Sequence, residues 1–314
     1  MTAAAFIAGD WGTSHLRLFL CDDEGVTIES AIGPGVSSVK VPFAELFDSL
    51  LLDWDARYGT LPAILSGMVG SSIGWVQTPY VPCPANPESI VAGSVALGDG
   101  RVRLLPGLRC DNRLNTADFV RGEETQVLGA LSLDATLRTG RHLLCLPGTH
   151  TKWVVLEEGI IREFLTAPTG EVYGALRDHS VLVRADHRSE EASGAAFEEG
   201  LRRFNDYPRV PILHRLFECR SRVLDGKMAA SDAAAFLSGL LIAGDVAGAL
   251  SLFADSIAGR RVCVIGTAQL NQAYATALKL SGLSAIQLDG GAAALSGLSR
   301  AHHLLSSRVA ACAV

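Results

Sequence analysis

The chain of 314 residues contains no G-x-x-x-x-G-K-[ST] loop and no G-x-G-x-x-G turn, so the two commonest phosphate-binding fingerprints are absent as written. No basic run stands out against a net charge of −6, and the electrostatic footprint of a nucleic-acid binder is missing with it. Seven cysteines (Cys21, Cys83, Cys110, Cys145, Cys219, Cys263, Cys312) lie far apart, odd in number and without a C-x-x-C pair, which argues against a disulfide framework and a zinc cluster. They read as reduced, mostly buried thiols of a cytoplasmic protein. The histidines show no ligand-like spacing, so no tightly held metal is expected, and His302-His303 reads as the end of a surface helix. Residues Ala3 to Ala8 lack a basic flank and are too short for a signal peptide. The longest apolar tract, Ala233 to Leu250, is interrupted by Asp245 and rich in small residues, which fits a buried helix better than a membrane span. Small-molecule chemistry is what these absences leave, with no nucleic-acid or membrane partner and a homodimer left open.

What is present has material for a sizeable core: 48% of residues are hydrophobic, and the length favours about two domains. Near the start, Phe6 to Leu20 sets Asp10 and Gly12 between two apolar runs, the pattern of a hairpin of buried strands. Asp10 ends the first run, where a carboxylate can hold the hydrated magnesium of a nucleotide. Gly12 lets the backbone turn tightly and show its N–H groups to an anion. Any hairpin can carry Asp and Gly at its turn, so this motif needs support from elsewhere.

Val26-Thr27-Ile28 reads as a third strand, Pro42 to Trp54 as an amphipathic helix and Ala63 to Leu65 as a buried strand. That strand runs into a Gly- and Ser-rich loop, Ser66 to Trp75, continued by the Pro-rich stretch Tyr80 to Asn86. Long loops in compact domains tend to be functional. A helical segment near Phe119 to Leu131 precedes the strand His142 to Leu146, the turn Pro147 to Lys152, the strand Trp153 to Leu156, the turn Glu158-Gly159 and the strand Ile160-Ile161. This repeats the strand, Gly-Thr turn, strand, Gly turn, strand order of the N-terminus and suggests an internal duplication. Thr169 to Ala249 reads as mainly helical, with a charged, solvated connection at Arg184 to Glu191. Arg261 to Gly266 is a strand ending in glycine, Gln269 to Leu280 a helix, and Gly290-Gly291 opens an alanine-rich helix. Strand, glycine, helix is a ligand-site geometry in open α/β sheets.

Asp10-Trp11-Gly12-Thr13-Ser14-His15-Leu16-Arg17 resembles the first phosphate motif of the superfamily of sugar kinases, actin and heat-shock ATPases. Pro147-Gly148-Thr149-His150-Thr151-Lys152-Trp153 resembles its second phosphate motif, and Val262 to Gly266 with Gly290-Gly291 its adenosine-binding portion. More narrowly, Ser66-Gly67-Met68-Val69-Gly70-Ser71, Gly74-Trp75, Arg121-Gly122-Glu123-Glu124-Thr125-Gln126 and Thr169-Gly170-Glu171 are similar to the 2-dehydro-3-deoxygalactonokinase family. The match covers nearly the whole chain. Two departures are Phe119-Val120, where a methionine is expected before the arginine, and Ala167-Pro168 ahead of Thr169-Gly170-Glu171; neither removes a chemically essential group.

The resemblance implies an α/β protein of two ribonuclease-H-like (actin-like ATPase) domains, with mixed five-stranded sheets flanked by helices and an interdomain active-site cleft. Its expected bounds are 1–118, carrying a sugar-acid loop at 66–86, and 119–314, carrying the second phosphate hairpin and the adenosine site. It also implies transfer of the γ-phosphoryl of ATP, with Mg2+, to the terminal (6-) hydroxyl of 2-dehydro-3-deoxy-D-galactonate in galactonate catabolism. Asp10 is then the magnesium-side carboxylate. Gly12, Thr13 and Arg17 face the phosphates from the first domain, Gly148, Thr149 and Lys152 from the second, with Gly266, Gly290 and Gly291 at the adenosine.

Glu123 is the expected base, since Gly122-Glu123 reproduces the Gly-acid pair at a helix start of related kinases. Glu124 is its rival, because adjacent helical residues point about 100° apart and only one faces a cleft. A helix N-terminal carboxylate complementing the macrodipole is the plainer alternative for both. Ser66, Gly67, Met68 and Ser71 are expected at the sugar acid, and Trp75 or Tyr80 either stacks on its carbon face or anchors the core. Glu171 either binds a sugar hydroxyl or caps the helix that Thr169-Gly170 begins. Three other functions remain open: a kinase of another sugar or sugar acid, a phosphohydrolase in which Glu123 or Glu124 activates water, and an actin-like assembly protein.

Overall fold

The computed structural model describes residues 3–183 and 194–312. The expected connection at 184–191 lies outside them. In chain order the N-terminal part runs β1 (Ala4–Trp11), β2 (His15–Asp22), β3 (Thr27–Pro34), α1 (Phe43–Tyr58), β4 (Ala63–Gly67), β5 (Tyr80–Pro82), α2 (Pro87–Ala92), β6 (Val95–Leu97), β7 (Val102–Leu104), β8 (Gly107–Asp111), β9 (Ala117–Val120) and α3 (Glu123–Leu133). There follow β10 (Arg141–Leu146), β11 (Thr151–Glu157), β12 (Ile160–Ala167), α4 (Thr169–His179), α5 (Ala195–Asp206), α6 (Glu218–Leu224), α7 (Ala233–Leu252), β13 (Arg261–Gly266), α8 (Ala268–Leu280), β14 (Ser284–Asp289) and α9 (Gly290–Cys312).

Two sheets carry the molecule. The first has six strands in the order β3-β2-β1-β4-β7-β6, one more than expected, and the second has five, β12-β11-β10-β13-β14. Each begins with three sequential neighbours, and its first strand then pairs in parallel with the next major strand, β1 with β4 and β10 with β13. The shared order bears out the suspected repeat at the level of topology. Continuous apolar runs explain the central strands: Phe6, Ile7 and Ala8 of β1 and Leu143, Leu144 and Cys145 of β10 are fully buried, as strands covered on both faces require.

By packing, the chain divides into two compact units. Unit 1 is Met1–Gly140 with Glu157–Glu163 and the C-terminal stretch from Gly290; unit 2 is Arg141–Leu156 with Phe164–Asp289. The division differs from the expected boundary at 118/119, and the seam between α3 and α9 is the reason. A Cβ at Gly129 would sit 1.8 Å from Ala293 O, and one at Gly297 1.9 Å from Thr125 O. Glycine lets these two helices approach backbone to backbone, so α3 stays with α9 in unit 1.

Three further expectations are corrected. Phe119 belongs to β9, and the helix starts only at Glu123, after Gly122 at φ +102°. The segment downstream of the Ser66 loop forms a small third sheet, β5-β8-β9. His302 and His303 lie inside α9, which continues to Cys312, and the His302 ring stacks on Phe6 with centroids 4.1 Å apart. The helical stretch Ala230–Leu252 is long and apolar enough to cross a membrane, yet 72% of its apolar window is buried in the protein. It forms the centre of the unit 2 core, with Phe236, Leu237 and Leu240 fully enclosed.

Candidate active site

Unit 1 presents the first hairpin. Trp11 is fully buried against α1, and its indole N–H donates to Pro34 O at 3.0 Å, which pins the end of β1. The Gly12 N–H donates to His15 O at 2.9 Å, while Val36 N–H donates to Gly12 O and Ser37 N–H to Thr13 O. Gly12 therefore spends its own N–H closing the turn, against the expectation that it is shown to an anion. Thr13 and Ser14 are the exposed tip. Across the hairpin, Arg17 Nη2 donates to Asp10 Oδ2 at 2.5 Å. So open a pair adds little stability, roughly 0–1 kcal/mol; it fixes where the carboxylate points.

In the parallel register of β1 with β4, Asp10 lies opposite Ser66 and Trp11 opposite Gly67. Gly67 holds φ +92°, and a Cβ there would fall 2.8 Å from Trp11 O and 3.5 Å from Asp10 Oδ1. A Cβ at Gly122 would in turn lie 3.4 Å from Gly67 Cα. These two glycines, both in the left-handed region, bring the start of α3 against the end of β4 beside Asp10.

The two glutamates that open α3 part ways there. Glu123 is half-buried, and its Oε2 accepts the Arg121 N–H at 3.0 Å. Glu124 is 1% exposed; its Oε2 accepts the Gly122 N–H at 2.7 Å and its Oε1 accepts the Thr125 hydroxyl at 3.0 Å. Burial first, and the Glu123 charge second, push the Glu124 carboxyl up to about 7. Of the two, Glu123 is the one placed to meet a solvent-borne group.

The Ser66 loop is tighter than its composition suggests. Ser71 Oγ donates to Met68 O at 2.7 Å and accepts the Ile73 N–H, so its hydroxyl is used inside the turn. Met68 and Trp75 pack on the unit 1 core, Trp75 with its ring 5.6 Å from Phe47. Ser66 is 2% exposed, with no partner for its hydroxyl among the described residues. Tyr80 lies under the Arg121 guanidinium at 4.4 Å and edge-on to Phe119 at 5.0 Å. Arg121 also donates to Thr78 Oγ1 and Thr78 O. It was not singled out as a site residue, although its place just ahead of Gly122-Glu123 was the available signal.

In unit 2 the turn Gly148-Thr149-His150 joins β10 to β11, and the start of α4 docks on it. A Cβ at Gly170 would be 2.3 Å from Gly148 O, Glu171 N–H donates to Thr149 O at 2.8 Å, and the Glu171 carboxylate pairs with His150 Nε2 at 2.7 Å. Beneath the turn lies Asp245. Its Oδ1 accepts Trp153 Nε1–H at 2.7 Å, and its Oδ2 accepts the hydroxyls of Thr169 at 2.7 Å and Tyr274 at 2.6 Å. Thr151 Oγ1 bonds the same Tyr274 hydroxyl at 2.7 Å. Burial raises the Asp245 pKa, while these donors oppose the rise. One carboxylate thus ties β11, α4, α7 and α8 together around the turn. The interruption of an apolar tract by a lone aspartate was the signal for it.

Lys152 is only 6% exposed and donates its ammonium to Thr166 Oγ1 at 3.0 Å, so it is committed within the sheet. A cavity of about 170 Å³ opens beside Gly148, Gly170, Tyr173, Ser238, Gln269 and Leu270. Gly266 is buried at the end of β13, where Asn271 donates to Gly266 O and Leu288 O and so locks the ends of β13 and β14 to α8. Gly290 and Gly291 open α9 and group with unit 1, and Gln126 of α3 donates to Gly290 O at 3.2 Å. The expected adenosine segment is thereby divided, Gly266 in one unit and the diglycine in the other.

Two sheets with one strand order, each opened by a Gly-Thr hairpin, place the protein in the class with a two-domain ribonuclease-H-like, actin-like fold. Component A of (R)-2-hydroxyglutaryl-CoA dehydratase from Acidaminococcus fermentans shares that fold at TM-score 0.53 and 11% identity, over 97% of this chain and 100% of that one. Residues 10–301 match the family model of 2-keto-3-deoxy-galactonokinase, and the chain belongs to that family. It is 37% identical over 306 residues to the "Probable 2-dehydro-3-deoxygalactonokinase" of Rhizobium meliloti (strain 1021), covering 96% of this chain and 97% of that one. It is 33% identical to the 2-dehydro-3-deoxygalactonokinase of Escherichia coli (strain K12), covering 97% and 99%. A crystal structure from Sinorhizobium meliloti assigned to the same kinase superimposes at TM-score 0.86 with 35% identity, over 96% of this chain and 99% of that one.

Proposed function

We propose that this chain is an ATP-dependent kinase of the cytoplasm that converts 2-dehydro-3-deoxy-D-galactonate to its 6-phosphate. The observation that carries the reading is the meeting of Asp10, Gly67 and the Gly122-Glu123 start of α3 in unit 1. That arrangement offers a metal-side carboxylate and a base-side carboxylate around glycine backbone that a small acceptor can approach closely. A single partly exposed carboxylate suits Mg2+ arriving with ATP, because magnesium keeps much of its water and binds through one or two carboxylates plus phosphates. When bound, that ion neutralises charge on the transferring phosphoryl group.

In the proposed reaction Glu123 accepts the proton of the C6 hydroxyl. The hydroxyl oxygen bonds to the γ-phosphorus as the bond to the β–γ bridging oxygen breaks, and ADP leaves. Arg17 holds Asp10 in place before nucleotide arrives, and Thr13 at the hairpin tip donates to phosphate. In unit 2, Gly148 and Thr149 supply further donors, and the cavity beside Gly148 takes the nucleoside. Ser66 and the backbone at Gly67 are the proposed sugar-acid contacts, with Tyr80 holding Arg121 in place. Met68, Ser71, Trp75 and Lys152 serve the scaffold.

ADP release is the test, with MgATP against a panel of 2-keto-3-deoxy sugar acids, aldonates and free sugars. Stimulation by 2-dehydro-3-deoxy-D-galactonate above every other acceptor is the expected result. Preference for a different acceptor would move the substrate elsewhere in the sugar kinases, and a steady rate without acceptor would favour a hydrolase.

A further inference from the structure

Unit 1 contains a hollow of about 460 Å³, lined from α9, the end of α3, Arg138 beyond it and Glu24 in the β2–β3 turn. None of its residues belongs to the proposed catalytic set. Arg138 and Arg300 both line it. The Arg138 Nε–H donates to Leu131 O at 2.6 Å, which fixes the stem and leaves both terminal amino groups uncommitted. The Arg300 guanidinium makes no hydrogen bond or ion pair among the described residues. The two cations repel each other: burial and then the Arg138 charge pull Arg300 below the usual arginine range, with Glu88 opposing. Neither Glu24 nor Glu88 forms an ion pair with either guanidinium among the described residues.

The hydroxyls sort into two kinds. Ser299 donates to Leu295 O at 3.0 Å and Ser307 to His303 O at 2.9 Å, so those protons stay within α9. The Ser132 and Ser296 hydroxyls make no hydrogen bond among the described residues and keep their protons free. Beside the Glu24 carboxylate, the uncommitted groups of the hollow are two guanidiniums and two hydroxyls, so its donors and positive charge outweigh its single anion, in a protein of net charge −6. A phosphate monoester is the complementary ligand. Near neutral pH it carries nearly two negative charges on acceptor oxygens, and guanidinium forks match them. The size also exceeds what a bare oxyanion fills and falls within the range of metabolite sites, roughly 300–1,000 Å³.

We propose that this hollow is a binding site for a small phosphate monoester, whose phosphate is held by Arg138 and Arg300 with Ser132 and Ser296. Calorimetric titration of the full chain, saturated with ADP, provides the test, with 6-phosphogluconate as the probe and gluconate and inorganic phosphate as controls. One 6-phosphogluconate should bind per chain, more tightly than inorganic phosphate, and gluconate should leave the heat unchanged. The double variant Arg138→Ala/Arg300→Ala should weaken binding at least about tenfold, as loss of charge-assisted bonds to phosphate requires. ADP affinity should stay as it was. Ser296→Asp, which sets a negative charge in the hollow, should do the same and decides the matter should the double variant not fold. Binding that survives in the folded variants, no binding to the parent chain, or equal affinity for inorganic phosphate would each overturn the assignment.

Discussion

The hairpins β1–β2 and β10–β11 hold the same place in their sheets and turn through the same Gly-Thr pair, yet they handle charge in opposite ways. Two residues before its glycine the first carries Asp10, 21% exposed and paired with Arg17; at the matching place the second carries Leu146, which is buried. The acid of unit 2 sits underneath instead. Asp245 is enclosed and consumed by Trp153, Thr169 and Tyr274. One topology used twice thus carries its acid on the hairpin in unit 1 and beneath the hairpin in unit 2. A partly exposed carboxylate with one solvent-exposed partner can exchange that partner for a nucleotide's metal, whereas one that accepts several buried hydrogen bonds serves to hold its neighbours.

The largest expected break in this contrast is Glu123→Gln. Removing the proposed proton acceptor from unit 1 should lower kcat by about 10²–10⁴-fold while ATP affinity stays within a few-fold, measured by ADP release and nucleotide titration. Asp245→Ala attacks the other side. Stranding three buried donors should cost on the order of 3 kcal/mol in denaturant unfolding, and should raise the KM for ATP more than it lowers kcat. A matching fall in kcat alone would place chemistry in unit 2 and erase the distinction.

A pH experiment sharpens the division within α3. The Glu124 carboxyl moves from its ordinary 4.5 to about 7 on folding, so the folded chain binds the proton more tightly than the unfolded one. Its contribution to stability is full below about 4.5 and is lost as the pH rises through about 7. Unfolding free energy should therefore fall across that window by a few kcal/mol, and Glu124→Gln should flatten the slope. The smallest effect belongs to Arg17→Ala. It should change stability by no more than about 1 kcal/mol, because the pair is open to water, and raise the KM for ATP only a few-fold.

Much of the first hairpin was legible because its signals are local. Apolar runs flanking Asp10 and Gly12 predict strands and a turn without knowledge of distant partners, and both hairpins follow from that rule. The Gly-acid pair Gly122-Glu123 marked a helix start, and α3 begins there. The β5-β8-β9 sheet was not legible, since its strands are three to five residues long and β5 finds its partner β8 only far along the chain, Tyr80 opposite Gly107. Orientation was the other blind spot. Whether Lys152 meets a phosphate or Thr166, and whether Ser71 meets a sugar or Met68 O, depends on which way one side chain points in a folded turn or strand. The α3–α9 seam joins residues more than a hundred and sixty positions apart, and only the glycines at 129 and 297 hinted at it.

Rapid-quench single turnover tests the central claim most directly, with enzyme in excess over radiolabelled ATP and saturating 2-dehydro-3-deoxy-D-galactonate, for the parent chain, Glu123→Gln and Asp245→Asn. If unit 1 holds the reactive acid and unit 2 the scaffolding one, phosphoryl transfer slows by at least about 10²-fold in Glu123→Gln. In Asp245→Asn, once ATP is saturating, it stays within about tenfold of the parent, the behaviour of a residue that acts through binding. Equal transfer rates in Glu123→Gln and the parent, or a collapse confined to Asp245→Asn, would contradict the account.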